Sequence, residues 1–182
     1  MTAPVTVMNP AETSTKLDEM LSWHAIYNLL CDYMRGQDRL DPALHRSVFH
    51  DDATTDYGSF TGTADEFVAF AQGVLTPHLS NHHMIGQVRI DFEGDTAFGE
   101  VYFQAFHRTL SDAGEADLWV SGRYVDRYER RDGHWKIAHR SELVDWTRLE
   151  PAGDDALKAM NFPLGQRAPH DLSCRRDEMR VR

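Results

Sequence analysis

Cysteine is scarce: only Cys31, inside a helical pattern, and Cys174, in the tail, occur in the chain. Two isolated thiols make neither a disulfide framework nor a CxxC metal motif, and they fit a reduced compartment. Long apolar runs are missing as well. No stretch approaches about eighteen consecutive apolar residues, and the opening MTAPVTVMNPAET lacks a basic segment followed by an apolar one. The expectation is a cytoplasmic protein with no membrane partner. Positive charge is in deficit, with 19 Lys and Arg against 29 Asp and Glu, for a net charge of −10. The cations are dispersed rather than gathered on one face, so phosphate backbones would be repelled and no nucleic-acid partner is expected. GxGxxG after a strand, GxxxxGK[ST], GxSxG and HExxH are all absent. Nucleotide cofactors, serine hydrolysis and compact zinc motifs therefore lack support.

What is present suits one folded domain. The 182 residues are 41% hydrophobic and 26% charged, enough to build a single core without staples. From about Lys16 to Arg35, Leu17, Met20, Leu21, Ala25, Ile26, Leu29, Leu30 and Tyr33 recur every three or four residues, which predicts a helix buried along that stripe and stopped by Gly36. Asp41-Pro42 reads as an N-cap and first turn of a second helix ending near Phe49. A brief strand follows around Thr54 to Tyr57. Thr63 to Glu66 resembles a capping sequence ahead of a third helix, closed by Pro77.

Beyond that point the period changes to about two. Four long stretches are separated by turn signals at Glu93-Gly94-Asp95, Asp112-Ala113-Gly114 and Asp132-Gly133, which predicts an antiparallel meander and an α+β fold. Both faces of these strands carry large residues, so the outer face needs cover, most simply by a second copy of the chain. From Pro151 the tail is rich in Gly, Pro, Asp and Arg and is given only a turn of helix near Asp154 to Met160.

The strings RGQDRLD, FHDDATTDYGSFTG, NHHMIGQVRI and GRYVDRYERRDGHWKIAHRSELVDW, in this order over residues 16 to 148, resemble the SnoaL-like branch of the nuclear-transport-factor-2-like superfamily. The resemblance implies a cone-shaped barrel, a strongly curved, mostly antiparallel sheet wrapped around N-terminal helices, whose open end admits a small hydrophobic substrate. Residues 1–15 would be an arm, 16–148 the catalytic domain and 149–182 a tail over the pocket or an interface. The superfamily includes scytalone dehydratase, hexachlorocyclohexane dehydrochlorinase, bile-acid dehydratases, ketosteroid isomerase, polyketide cyclases and formaldehyde-releasing lyases, alongside noncatalytic subunits.

By that resemblance Asp38 matches the acidic partner, and His83 the base, of a catalytic Asp–His dyad. A carboxylate bonded to one ring nitrogen sets the tautomer of a histidine and steadies the imidazolium. His82 competes with His83, because adjacent strand residues face opposite ways. Gln87 stands where relatives carry an asparagine and is expected to touch substrate. Tyr33, five residues before Asp38, matches the tyrosine of bile-acid dehydratases, while the stripe also allows it a place in the core. His107 shares a face with Val101, Phe103 and Ala105 and lies near a second catalytic histidine of the family. Tyr57 and Phe103 are expected at the substrate. Arg140 resembles a pocket arginine, but strict alternation from Trp135 and Ile137 points it outward unless a bulge intervenes.

The resulting expectation is a lyase needing no metal and no cofactor. His83, oriented by Asp38, removes a proton while Tyr33 or His107 assists loss of hydroxide, halide or a one-carbon fragment from an alicyclic, steroid-like or aromatic substrate. The alternatives are an isomerase or cyclase of the same fold, or a noncatalytic binding or assembly domain. The assembly is expected to be a homodimer or homotrimer.

Overall fold

The computed structural model describes residues 9–160 and 162–180. The first helix, α1 (Pro10–Asp38), begins earlier and ends later than its apolar stripe predicts. Its start is set by a capping box, in which the Asn9 side chain accepts from the Glu12 N–H while Glu12 reaches back to the N–H of Asn9, with Pro10 in the first turn. Only the second half of α1 packs inward. Ser22, Ile26, Leu30, Tyr33, Met34, Gln37 and Asp38 are buried, whereas Leu17, Met20 and Leu21, expected in the core, stand exposed. The inward face at this end runs through Ser22 and Asp18, which pairs with Arg130, and the three apolar residues lie off it.

Gly36 does not stop the helix. A Cβ there would come within 2.7 Å of the backbone of His45, so the glycine serves the close crossing of α1 with α2 (Pro42–Ser47). Asp41 caps α2 as expected, accepting from the Leu44 N–H at 3.0 Å. Strand β1 (Phe49–Asp56) is longer than the sequence suggests, and a three-residue strand, β2 (Thr61–Thr63), pairs with it. Thr63 then caps α3 (Ala64–Leu75) through a reciprocal bond with Glu66.

Four long strands follow at the expected turns: β3 (Ser80–Glu93), β4 (Thr96–Ser111), β5 (Gly114–Arg131) and β6 (His134–Pro151). The six strands form one sheet in the order β2-β1-β6-β5-β4-β3. Every pairing is antiparallel except β1 with β6, which is parallel. The chain thus has an α+β architecture, with N-terminal helices against a curled, mostly antiparallel sheet. Ile26, Leu30 and Tyr33 of α1 and Phe67, Val68 and Ala71 of α3 meet Val101, Phe103, Tyr124, Tyr128 and Ile137 of the sheet in one core. On the opposite face Phe98, Tyr102, Val125, Leu143 and Trp146 stand exposed; this is the face assigned above to contact between copies. Among the described residues no helix is long and apolar enough to cross a membrane.

After β6 the chain forms α4 (Asp155–Lys158), a 3-10 turn at Leu172–Cys174 and α5 (Arg176–Met179). The segment around residues 166–174 returns to the end of α1. Ala168 N–H donates to the Arg39 carbonyl at 2.8 Å, Arg39 donates to the Gln166 carbonyl at 3.2 Å, and Arg35 donates to the Ser173 hydroxyl at 3.0 Å. The tail, expected over the pocket or an interface, thus packs against the end of α1.

Candidate active site

The last residue of α1 meets the start of β3. His82 pairs opposite Phe106 and is exposed, while His83 pairs opposite Ala105, whose side chain is buried. The alternation of β3 therefore turns His83 alone toward the helices. Its Nδ1 lies 2.6 Å from the Asp38 carboxylate, and its main-chain N–H donates to both oxygens of the same group at 3.1 Å. A carboxylate can only accept, so Nδ1 carries the proton and Nε2 keeps its lone pair. The two side chains are 9% and 6% exposed, Asp38 and His83 respectively.

A pocket of about 150 Å³ opens beside this pair, a volume comparable to cavities that accept benzene. Gln37 comes from α1, Tyr57 follows β1, and Phe67, Phe70 and Val74 come from α3; the sheet contributes His83, Phe103, Ala105, His107, Val120, Tyr124 and Glu142. Aromatic stacking stiffens the walls, with Tyr57 on Phe67 at 4.1 Å and Phe103 on Tyr124 at 4.5 Å between ring centroids.

His107 is held from behind by Asn81, whose carboxamide lies 2.8 Å from Nδ1 of both His107 and His78 and 3.1 Å from the Arg167 guanidinium. A guanidinium only donates, so the amide oxygen faces Arg167 and the amide nitrogen donates to the imidazoles. His107 then bears its proton on Nε2. Burial, reinforced by the charges of His83, His78 and Arg167, pushes its pKa down to about 3, so it is a neutral donor at ordinary pH. Arg167 also donates to the Asp38 main-chain carbonyl at 2.5 Å and to the His78 carbonyl at 3.1 Å. One tail side chain therefore grips both the dyad carboxylate's backbone and the Asn81 relay.

Tyr33 is fully buried and lies outside the pocket lining, with its hydroxyl 2.6 Å from that of Tyr57. Burial pushes its pKa up to about 12. It supports Tyr57 and does not itself face the pocket, which corrects its expected catalytic position. Arg140, expected at the substrate, is also turned inward but sealed behind the pocket. Between β5 and β6, Tyr128 pairs with Ile137 and Arg127 with His139, so Ala138 is an extra residue that shifts the alternation. The Arg140 guanidinium makes two 2.7 Å bonds to Asp126 and lies between the rings of Tyr33 and Tyr124, 4.2 and 4.1 Å from their centroids. Gln87 is misplaced by a second bulge. Ile85 pairs with Phe103 and Val88 with Val101, which leaves Gly86 and Gln87 opposite Tyr102 and turns Gln87 out to solvent, away from the pocket.

Sequence reasoning missed Glu142, Asn81, Asp126 and Arg167. Adjacent Ile137 and Ala138, both buried in a strand, are the signal that alternation breaks and that Arg140 and Glu142 turn inward together. Asp126 sits between Tyr124 and Tyr128 on a buried face, a pattern that calls for a cationic partner. Nothing local marks Arg167. Among the described residues no group of three or more His, Cys, Asp or Glu is arranged to hold a metal ion.

A family model for the SnoaL-like domain matches residues 18–141, more than half of the chain. The chain belongs to the SnoaL-like family. Solved structures extend this placement to the nuclear-transport-factor-2-like superfamily. A type 2 hexachlorocyclohexane dehydrochlorinase, LinA, superimposes on this SnoaL-like protein with a TM-score of 0.68 at 26% identity, covering 76% of this chain and 94% of its own. A candidate scytalone dehydratase from Novosphingobium aromaticivorans gives 0.66 at 26% identity, with coverages of 78% and 93%. A protein from Nostoc punctiforme with a cystatin-like fold gives 0.57 at 18% identity, covering 69% and 92%, which speaks to the fold alone. No curated protein matches the SnoaL-like chain significantly.

Proposed function

We propose that the protein is a cofactor-independent lyase that eliminates a small group from a single-ring or similarly small hydrophobic substrate. The observation that carries this reading is the 2.6 Å contact between Asp38 and His83 Nδ1 at the wall of an apolar pocket. With Nδ1–H given to Asp38, Nε2 is the free base, and it removes a proton from a carbon acidified by a neighbouring carbonyl or ring. Asp38 balances the imidazolium that results. The neutral His107 Nε2–H and the Tyr57 hydroxyl supply donors for negative charge developing on the substrate. The walls of Phe67, Phe103 and Val120 exclude water around that charge and limit the substrate to a small apolar body.

Likeness to a dehydrochlorinase and a candidate scytalone dehydratase supports elimination over other reactions of the fold. Screening small halogenated and hydroxylated ring compounds for turnover tests the reading directly. On any substrate so found, His83→Ala should lose at least about 10²-fold in kcat, the lower end for a general base. Asp38→Asn should lose much of the same rate with the fold intact. The double variant should cost far less than the product of the two losses, because the residues act as a unit. Multiplicative losses, or full activity in His83→Ala, would remove the dyad from the mechanism.

A further inference from the structure

Among the described residues Glu142 is the one carboxyl group in the pocket lining, and the scheme above leaves it unused. It follows Arg140 by two residues on β6, so the bulge at Ala138 that turns Arg140 inward turns Glu142 inward too. It pairs in register with Tyr124 of β5, and its side chain shares the pocket with His83 and His107. It has no hydrogen bond or ion pair among the described residues. A carboxyl in an apolar pocket with no partner is an unusual expense for a fold. Its neighbours from each element are Tyr33 of α1, Tyr57 after β1, His83 of β3, His107 of β4, Tyr124 of β5 and Arg140 on its own strand. Burial raises its pKa to about 7, against the lowering influence of His83 and Arg140.

The other donors are poor proton sources. Tyr33 and Tyr57 are both raised by burial, and His107 carries no proton beyond its neutral one. A halide departs as a stable anion, but hydroxide or alkoxide does not leave without being protonated. Glu142 supplies what such a leaving group needs, on the wall of the pocket that holds the base.

We propose that Glu142 is the general acid of this site, protonating an oxygen leaving group, so that the substrate carries a hydroxyl or ether oxygen on the carbon next to the C–H that His83 attacks. This rests on the lyase reading above. His83 Nε2 takes the C–H proton, that bond's electron pair forms the C=C bond, and the C–O bond breaks with its pair going to oxygen. The Glu142 O–H proton passes to that oxygen, releasing water or an alcohol. The imidazolium and carboxylate left behind return to the starting state by transfer of one proton between them through water. No oxidant or reductant takes part. Two titratable groups held in opposite protonation states divide the base and acid roles.

The test uses two probes that give the same product, cyclohexenone, followed by its ultraviolet absorbance: 3-hydroxycyclohexanone and 3-chlorocyclohexanone. In Glu142→Gln the ratio of kcat/KM for the hydroxy probe over the chloro probe should fall by about 10²-fold, and Glu142→Asp should restore part of it. With the wild type, kcat/KM for the hydroxy probe should decline as pH rises through about 7, and this limb should be missing for the chloro probe. An unchanged ratio, with both probes slowed equally, would make Glu142 a structural or binding group and overturn the proposal. So would a wild type that converts the chloro probe alone or neither probe. His83→Ala separates this from failure of the base, since it should slow both probes together; undiminished rates there would remove His83 as the base, while the Glu142 ratio still stands on its own measurement.

Discussion

Asp126→Asn should destabilise the protein severely without touching the pocket lining. Asp126 and Arg140 are both sealed from solvent, with their side chains at 0% exposure. The native guanidinium is compensated by the two 2.7 Å bonds it donates to one carboxylate and by the faces of Tyr33 and Tyr124. The Tyr128 hydroxyl donates to the same carboxylate at 2.5 Å. Asparagine keeps the volume and removes the charge, leaving a cation that cannot shed its proton in an interior that cannot solvate it. Breaking a buried pair in this way costs about 3–5 kcal/mol. At about 2–4 °C per kcal/mol for a chain of this size, the melting midpoint should fall by roughly 6–20 °C. Urea titration followed by tryptophan fluorescence and calorimetry measures both quantities. Asp52→Asn, which breaks the exposed pair with Arg131, should leave the midpoint in place and serves as the control. Replacing the pair together, Asp126→Leu with Arg140→Met, should cost less than Asp126→Asn alone, because no orphaned charge remains. A loss below about 1 kcal/mol for Asp126→Asn would show that the tyrosine rings, not the carboxylate, neutralise Arg140.

Stability should also depend on pH in a worked direction. Burial pushes His45 and His107 down to about 3 from the ordinary value of 6.5. The unfolded chain thus binds more protons at these sites, and their contribution is complete above about pH 6.5 and is lost as pH falls toward 3, at up to about 1.4 kcal/mol per pH unit for each. Glu142, raised to about 7, acts oppositely: its contribution is present below the ordinary carboxyl value of 4.5 and is lost as pH rises through 7. Between about pH 4.5 and 6.5 one histidine's slope should therefore be cancelled, and Glu142→Gln should steepen acid denaturation in that window; an unchanged slope would contradict the assignment. Arg167→Gln should lower kcat by up to about 10²-fold with little change in KM, since it loosens Asp38 and the Asn81–His107 contact without lining the pocket. Equal effects on both constants would place Arg167 at the substrate instead.

Local chemistry made much of this molecule legible in one dimension. Capping at Asp41 and Thr63 and the glycine-bearing turns after Glu93, Ser111 and Arg131 are short-range signals, because a cap or tight turn is satisfied by its immediate neighbours. The period of two along β4 placed Phe103, Ala105 and His107 on one face for the same reason, and adjacent His82 and His83 had to point in opposite directions. The Asp38–His83 pair was readable by resemblance, since its residues stand at characteristic places in recognisable strings.

Tertiary structure alone decided the rest, wherever a contact links distant parts of the chain or one extra residue reverses a face. The bulge at Ala138 brought Arg140 and Glu142 inside, and the one after Ile85 sent Gln87 out. Alternation cannot anticipate either, because one inserted residue inverts every side chain beyond it. Leu17, Met20 and Leu21 are exposed because the face of α1 turned to the sheet runs through Asp18, Ser22 and Ile26 instead, and periodicity records a face without saying whether anything lies against it. Gly36 looks like a stop in sequence and is a crossing point in space, a distinction made only by the backbone of His45 lying 2.7 Å from where a Cβ would be. Arg167 reaches Asp38 from 129 residues away. No local pattern encodes such a bond, because its energy is realised only once the sheet has brought the tail back to the end of the first helix.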